Sequence, residues 1–254
     1  MREKVVMITG ASSGIGWATA QKMAEQGAQL ILCGRREDRL KELQSQLDTP
    51  SHILVFDVGD KQAVFEKVNS LPDAFSSVDV LINNAGNAHG LSPVHEADIE
   101  DWDAMIDSNV KGLMYVTKAV LPSMVQKKQG HILNIGSIAA KEVYPNGSVY
   151  CSSKYAVDAF TKGLRIDLNP MGIKVSAIHP GMVNTEFSQV RFKGDKNRAD
   201  GVYKGLQPLV AEDVAHVICY MIQAPLHVNL ADVLLLPNAQ ASTYVAHRKP
   251  SQLL

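Results

Sequence analysis

Short apolar runs alternate with helical patterns along the whole chain, and this alternation restricts the fold more than any other feature. The runs are rich in Val, Ile and Leu and continuously apolar, as in strands covered on both faces. They span residues 4–9, 29–33, 52–56, 78–83, 131–136, 174–179 and 232–236. Helical patterns occupy 14–26, 36–47, 101–127, 148–168 and 211–223. The alternation predicts an α/β fold: a doubly wound parallel sheet of about seven strands with helices on both faces.

One domain is expected to contain the whole chain, residues 1–254, because no repeat, low-complexity tract or linker divides it. The longest stretch of weak pattern is 184–210, which is polar and contains glycine. Long irregular segments inside compact domains are usually functional or disordered. We therefore predict that a lid over the substrate lies at about 184–210.

Composition excludes several functions. The chain is 46% hydrophobic and 20% charged, with a net charge of -1, so binding to nucleic acid or a membrane surface through bulk charge is not expected. No apolar run approaches the ~18 residues that span a bilayer, and the N-terminal run is typical of a first strand. Three scattered cysteines (Cys33, Cys151, Cys219) lack metal-ligand spacing and fit a reducing compartment. A cytoplasmic protein without a metal site is predicted.

The motif TGASSGIG, residues 9–16, follows the first predicted strand and opens the first predicted helix. Gly10 permits a tight turn, Gly14 lets the backbone approach a ligand, and Gly16 allows close helix–sheet packing. The helix N-terminus then offers free N–H groups to an anion. A glycine loop can be a simple turn, but this position favours a Rossmann-type dinucleotide site. Its predicted cofactor contacts are Gly10, Ser12, Ser13, Gly14, Ile15 and Gly16.

The end of the second strand indicates which dinucleotide is bound. Gly34 stands where an acidic residue would bind the adenosine ribose, and Arg35 and Arg36 follow it. A guanidinium group matches the geometry of a phosphate. The alternative is a solvated charge cluster at a helix start. The arginines favour NADP(H) over NAD(H).

The next two strand ends provide further candidate contacts to the cofactor, at the edge where parallel strands form a crevice. Asp57 could accept from the adenine amine, or it could be an N-terminal helix acid. Ala85 and Gly86 leave room for a ligand or form a turn. The predicted contacts are Asp57, Val58, Asn84, Ala85 and Gly86.

Tyr150 and Lys154 lie one helical turn apart, so their side chains share a face. An ammonium group near a phenol favours the phenolate and lowers the phenol pKa from about 10. Such a phenol can exchange a proton with a substrate oxygen. Ser137 follows the fifth strand, where it could bind a substrate carbonyl. Asn109 lies on the apolar face of its predicted helix, either as a satisfied core amide or as an anchor for water.

Together TGASSGIG, NNAG, Asn109, Ser137 and YCSSK resemble the short-chain dehydrogenases/reductases over essentially the whole chain. The resemblance implies catalysis by Ser137, Tyr150 and Lys154, supported by Asn109, with Tyr150 and Lys154 also touching the cofactor. It implies that 179–187 holds the nicotinamide end of the cofactor. The expected contacts there are Pro180, Gly181, Val183 and Thr185.

Within this family the chain is similar to the NADP-dependent 3-hydroxy acid dehydrogenases, which include serine and L-allo-threonine dehydrogenases. The resemblance implies oxidation of the 3-hydroxyl of small acids, and a homotetramer that packs through 101–127 and 148–168. A small acid needs a cation, for which Arg191 is the candidate; the alternative is a solvated loop charge. The segment 139–147, which contains Lys141 and Glu142, borders the expected pocket. Ser137, Tyr150 and Arg191 are thus the predicted substrate contacts.

Two other functions remain open. A broader NADPH-dependent reductase of carbonyl compounds such as ketoesters would use the same catalytic residues. A sensor or scaffold that binds NADPH without turnover would not need Tyr150 or Lys154, and both are present. In every case the partner is a small molecule.

Overall fold

The computed structural model describes residues 1–249, whose strands form one large sheet and one small one. The strands are β1 (Val5–Thr9), β2 (Gln29–Gly34), β3 (Ser51–Val55), β4 (Val80–Asn83), β5 (Gly130–Ile135), β6 (Ile173–Pro180), β7 (Val183–Asn184), β8 (Leu209–Val210) and β9 (Asp232–Leu235). Seven of them form a sheet in the order β3-β2-β1-β4-β5-β6-β9, and every pair in it is parallel. The predicted seven-stranded parallel sheet is confirmed.

Helices cover both faces of this sheet. They are α1 (Gly14–Glu25), α2 (Glu37–Ser45), α3 (Lys61–Asn69), α4 (Asp73–Ser76), α5 (Ile99–Ile106), α6 (Leu113–Lys127), α7 (Ser148–Leu168), α8 (Phe187–Arg191), α9 (Lys196–Gly201) and α10 (Ala211–Gln223). Strand β1 shows why its sequence is continuously apolar: Val6 and Ile8 join a core with α1, α2 and α10, while Val5 and Met7 join a core with α3, α6 and α7. Both faces are therefore buried.

The order of the strands creates a crevice beside β1. The chain runs outward from β1 to β2 and β3, and then returns to β4 on the other side of β1. Connections leave the strand ends in opposite directions at such a point, and ligands bind there. Thr9 joins the two strand ends, since its Oγ1 accepts from the backbone N–H groups of Asn84 and Ala85, each at 3.0 Å.

The structure corrects the helix predicted at 101–127. A π-helical turn, Asp107–Gly112, separates α5 from α6. A Cβ atom on Gly112 would lie 2.7 Å from Cγ2 of Val58, so the backbone of this turn approaches the β3–α3 connection closely. The extra residue in the turn changes which side chains face the sheet before and after it.

The structure also corrects the irregular pattern assigned to 184–210. This segment contains α8 and α9, and β7 pairs in parallel with β8 at its two ends. Each of these helices is only five or six residues long, which is too short for a helical pattern to appear in the polar sequence. Residues 250–254 of the predicted domain lie outside the described part of the chain.

Two other findings concern the molecule as a whole. Among residues 1–249, no helix combines the length and the hydropathy that crossing a membrane requires. Cys33, Cys151 and Cys219 are free and buried. Burial raises the pKa of all three thiols, that of Cys219 to about 11.

Candidate active site

A cavity of about 580 Å³ opens at the carboxyl edge of the large sheet. The side chains and backbone from the glycine loop, the ends of β2 to β6, α7 and the 184–210 segment line it. Of the predicted site residues, all reach the cavity wall except Gly16 and Asn109, which lie behind it. The sequence motifs therefore meet in one place, as the parallel topology requires.

The glycine loop has the shape that its sequence predicted. Gly10 and Gly14 have positive φ angles of 66° and 53°, which other residues adopt at a cost. A Cβ atom on Gly16 would collide with the Gly10 carbonyl, so only glycine permits this packing. Ser13 precedes α1 with an extended backbone, and its side chain does not cap the helix. The N–H groups of the first turn thus remain available to a pyrophosphate.

Each of the two candidate phosphate-binding arginines faces a carboxylate. Arg35 lies 3.2 Å from Asp57, and Arg36 lies 3.0 Å from Glu186. Arg36 also donates to the Ser12 hydroxyl and carbonyl, at 3.3 Å. Both arginines line the cavity beside Gly34, which stands where an acidic residue would bind the ribose, so the donors present fit a phosphorylated ribose.

Asp57 does not cap a helix. Its Oδ1 accepts from the Gly59 N–H at 2.9 Å, while Asp60 caps α3 by accepting from Ala63. The alternative of an N-terminal helix acid therefore applies to Asp60 rather than to Asp57. Asp57 remains on the cavity wall, where an adenine amine could reach it.

Tyr150 and Lys154 are both buried on the cavity face of α7. The Lys154 Nζ donates to the Ile135 carbonyl at 3.0 Å and lies 5.9 Å from the centre of the Tyr150 ring. Burial lowers the pKa of Lys154 to about 8. The amine is held between the end of β5 and the phenol.

The expectation that Lys154 lowers the pKa of Tyr150 is wrong for the protein without cofactor. Burial raises the pKa of Tyr150, and the opposing influences are a hydrogen bond with the Ser137 side chain and the charge of Arg191. The Lys154 amine is directed to a backbone carbonyl and is itself penalised for carrying charge. A neutral phenol is the resting form.

Asn109 lies in the π-helical turn with 1% of its surface exposed. Its Nδ2 donates to the Asn87 carbonyl at 2.8 Å and to the Ser153 hydroxyl at 3.0 Å. Its Oδ1 accepts from the Asn87 N–H at 2.8 Å. A Cβ atom on Gly86 would lie 2.9 Å from this oxygen and 3.7 Å from the Lys154 Nζ. Asn109 is thus a satisfied core amide that holds the 86–87 backbone beside Lys154.

The remaining expected contacts surround the phenol. Ser137 Oγ accepts from the Ala139 N–H at 3.1 Å, which orients it towards Tyr150. Gly181 donates its N–H to the Leu235 carbonyl at 2.8 Å, which fastens the 180–185 backbone to β9. Thr185 packs against Gly14, whose Cβ atom would lie 3.3 Å from the threonine side chain. The 180–185 segment and the glycine loop are thereby in contact.

Arg191 is part of the cavity wall rather than a solvated loop charge. Its guanidinium carbon lies 5.6 Å from the centre of the Tyr150 ring and 5.4 Å from that of Tyr144. Its Nη2 donates to the Tyr144 hydroxyl at 2.8 Å, and its Nε to the Gly90 carbonyl at 3.2 Å. An immobilised cation therefore lies beside the phenol.

Lys141 and Glu142 do not reach the cavity wall. Lys141 pairs with Asp158 and Asp232, and Glu142 accepts from the backbone and hydroxyl of Thr243. Their influence on the pocket is through the segments that they fasten.

Several lining residues were not predicted from the sequence, and two of them, Tyr144 and Glu186, contact predicted site residues. Tyr144 lies in the segment 139–147 that was expected to border the pocket, but an aromatic residue in a loop gives no pattern of its own. Glu186 adjoins Thr185 in a motif already assigned to the cofactor. Thr243 and Gln240 come from the far end of the chain, where spacing gives no signal.

Comparison with known proteins agrees with this geometry. A family model described as short chain dehydrogenase matches residues 4–196. The chain is 43% identical to the NADP-dependent 3-hydroxy acid dehydrogenase YdfG of Escherichia coli O6:H1, over 93% of this chain and 96% of that protein. It is 45% identical to sulfoacetaldehyde reductase 2 of Chromohalobacter salexigens, over 93% of this chain and 95% of that protein.

Solved structures give the same result. The closed form of serine dehydrogenase complexed with NADP+ superposes with a TM-score of 0.92 at 40% identity, covering 97% of this chain and 100% of that one. Serine dehydrogenase from Escherichia coli gives 0.82 at 38% identity, covering 93% and 99%. The matched family model, these relatives and the assembled Ser137–Tyr150–Lys154 site show that the chain belongs to the short chain dehydrogenase family of oxidoreductases.

Proposed function

We propose that this enzyme uses NADP+ to oxidise the 3-hydroxyl of small 3-hydroxy acids such as serine or L-allo-threonine, and that it also catalyses the reverse carbonyl reduction. The observation that carries the proposal is the position of Arg191, whose guanidinium lies 5.6 Å from the Tyr150 ring. A cation at this distance from an acid/base group suits a substrate whose carboxylate and hydroxyl are close together. The names of the relatives support the same substrate class.

The residues at the cavity wall suggest a division of roles. Ser137 and Tyr150 line the same part of the cavity and would hold the substrate oxygen between them. Tyr150 would remove the hydroxyl proton, while Arg191 holds the carboxylate. Lys154 would bind the ribose. NADP+ would supply the hydride acceptor, and its positive charge would favour the phenolate.

Cofactor choice is assigned to Arg35 and Arg36. Each arginine faces one carboxylate in the protein without cofactor, so a 2′-phosphate would find two preorganised donors beside Gly34. Relatives and solved neighbours that use or bind NADP support NADP(H) as the cofactor. NAD(H) offers these arginines no phosphate, and weaker binding is expected.

The principal test is a panel of alcohols assayed with NADP+ and NAD+ in parallel, with Arg191→Met as the key variant. Serine and 3-hydroxypropionate should be oxidised with NADP+ preferred, and Arg191→Met should raise KM for these acids at least about tenfold, because a buried charge partner is lost. Arg198→Met is the matched control, since Arg198 packs on Phe192 away from Tyr150. If Arg191→Met oxidised the acids with the same KM as the unmodified enzyme, the assigned carboxylate contact would be contradicted.

A broader carbonyl reductase is the competing function, and the same panel distinguishes it. Ketoesters and neutral ketones lack the anion that Arg191 would hold. If they turn over faster than the acids, and if Arg191→Met leaves their kinetics unchanged, the broader function replaces the proposed one.

We further propose a cytoplasmic homotetramer formed by a single domain with the lid at 184–210. Tyr155 and Ile166 on α7 are 41% and 75% exposed, which supports burial of this helix against another subunit. Free buried thiols support a reducing compartment. Light scattering during size-exclusion chromatography should give four times the 27.6 kDa chain mass. A monomer would contradict the proposed assembly.

A further inference from the structure

A buried histidine lies directly behind the serine of the site. His179 is the next-to-last residue of β6 and is fully buried. It precedes Pro180 and Gly181, which line the cavity, but it does not line the cavity itself. No role in the reaction described above uses this side chain.

The imidazole packs against the backbone that carries Ser137. A Cβ atom on Gly136 would collide with the ring, so the two groups are in close contact. The ring Nδ1 lies 3.2 Å from the Ser137 carbonyl oxygen. That carbonyl also accepts from the Ala140 N–H at 2.8 Å, and the Ser137 hydroxyl accepts from Ala139. Ser137 is therefore held through both its carbonyl and its hydroxyl, and His179 is one of the two groups that contact the carbonyl.

The other side of the ring faces a group of charges. Nε2 lies 3.1 Å from an oxygen of Asp232 and 3.6 Å from one of Asp158, but it is not aligned for a hydrogen bond with either. Lys141 lies between the two carboxylates, at 2.7 Å from Asp232 and 3.1 Å from Asp158. His179, Asp158 and Asp232 are close enough together to ligate a metal ion. The Lys141 amine already neutralises the two carboxylates, so we assign no metal to this group.

The network links the elements of the site. Asp158 lies on α7, one turn beyond Lys154, and Asp232 begins β9, which fastens Gly181. Burial lowers the pKa of His179 and the charge of Lys141 lowers it further, so the ring is neutral near pH 7. A neutral ring carries one N–H, and the aligned acceptor is the Ser137 carbonyl rather than a carboxylate.

We infer that His179 is a positioning residue for Ser137, which it holds by donating from Nδ1–H to the Ser137 carbonyl. The inference rests on the proposed function, because it matters only if Ser137 binds the substrate oxygen. Small displacements of a group that touches the reacting atoms reduce turnover strongly, up to about a hundredfold for 1 Å. The ring acts through the backbone and makes no contact with the substrate.

Three substitutions test which nitrogen matters. In His179→Asn the amide nitrogen occupies the place of Nδ1 and can still donate to Ser137. In His179→Gln the longer side chain places its amide near Nε2 and Asp232, and His179→Leu removes both contacts. We expect kcat to fall at least about tenfold in the Leu and Gln variants and less than about threefold in the Asn variant. The dissociation constant of NADP+ should stay within about twofold of that of the unmodified enzyme in all three variants, since no side chain that lines the cavity is removed.

A readout on the unmodified enzyme covers the case in which variants do not fold. Nitrogen NMR of histidine-labelled protein shows which ring nitrogen carries the proton, and contacts with Gly136 assign the signal. A proton on Nδ1 supports the inference, and a proton on Nε2 alone overturns it. Equal losses of kcat in the Asn and Leu variants also overturn it. Absence of dehydrogenase activity in the unmodified enzyme would instead contradict the proposed function.

Discussion

The Tyr150 hydroxyl is the group whose removal should separate binding from chemistry. Its ring packs edge-on against Phe187, with centres 5.7 Å apart, and phenylalanine preserves that packing. We predict that Tyr150→Phe binds NADPH normally but loses at least about a hundredfold in kcat, because the acid/base group is gone. Fluorescence titration and steady-state kinetics measure the two quantities.

Tyr144→Phe is the matched control for this loss. The Tyr144 hydroxyl accepts from Arg191 and makes no contact with Lys154, so its removal should change KM for the acid more than kcat. Substantial turnover in Tyr150→Phe would contradict the acid/base role of Tyr150.

We expect Lys154 to lower the free energy of unfolding of the native protein. Its pKa is lowered from 10.5 to about 8, so below about pH 8 the native state carries a buried charge that the unfolded chain hydrates freely. We predict that Lys154→Met raises the free energy of unfolding by about 2 kcal/mol at pH 7 while activity is lost. The gain should shrink as the pH rises from about 8 and should vanish above 10.5, where lysine is neutral in both states.

Urea denaturation of the cofactor-free protein at pH 7 and pH 9.5 measures this difference. A Lys154→Met variant that is less stable than the unmodified protein at pH 7 would show that the hydrogen bond to Ile135 outweighs the cost of burial.

At the scale of elements, an ion pair joins the 184–210 segment to Arg36 beside the glycine loop. Glu186, which immediately precedes α8, pairs with Arg36 at 3.0 Å, and Arg36 also contacts Ser12. A carboxylate so close to Arg36 competes with a phosphate for the same donors. The 184–210 segment and the phosphate of a bound cofactor would therefore share one guanidinium group.

We predict that Glu186→Gln tightens NADP+ binding about two- to fivefold and leaves NAD+ binding unchanged, the small size reflecting a half-exposed pair. Calorimetry at low salt provides the measurement. Glu37→Gln is the matched control, because Glu37 pairs with Lys41 on the outer side of α2. Weaker NADP+ binding in Glu186→Gln would mean that the glutamate orients Arg36 instead of competing with the phosphate.

The element that the sequence described least well is the one that places Asn109. Its helical spacing from Ile106 and Leu113 was correct in outline, yet the turn between α5 and α6 is π-helical. This turn packs closely against Val58 through Gly112, a contact between residues distant in sequence. Periodicity contains no information about that contact, so a continuous helix was predicted.

At the scale of the whole molecule, the sheet was predictable because parallel topology leaves a strong mark on composition. Strands buried on both faces are continuously apolar, and the two cores on either side of β1 explain this directly. The glycine loop and the cavity residues followed from strand ends that must meet at one edge. Electrostatics did not follow: burial raises the pKa of Tyr150 and the charge of Arg191 only partly opposes it, and no spacing in the sequence specifies either effect.

The thiols give a prediction that belongs to the whole molecule. Cys33 and Cys151 are fully buried and Cys219 is 5% exposed, and burial raises all three pKa values. We predict that a disulfide reagent at pH 7.5 modifies none of them within minutes in the native protein. In denaturant all three should react. Rapid modification of the native protein would indicate that one of the cores opens locally.

If the three native thiols do not react with thiol reagents, a label can be attached at one chosen position to observe motion. A single cysteine engineered on the outer side of α9, for example at Asp200, would be the one reactive position, and a fluorophore or spin label could be attached there without removing any natural residue. Any movement of the 184–210 segment during turnover could then be followed in real time in an otherwise unaltered enzyme.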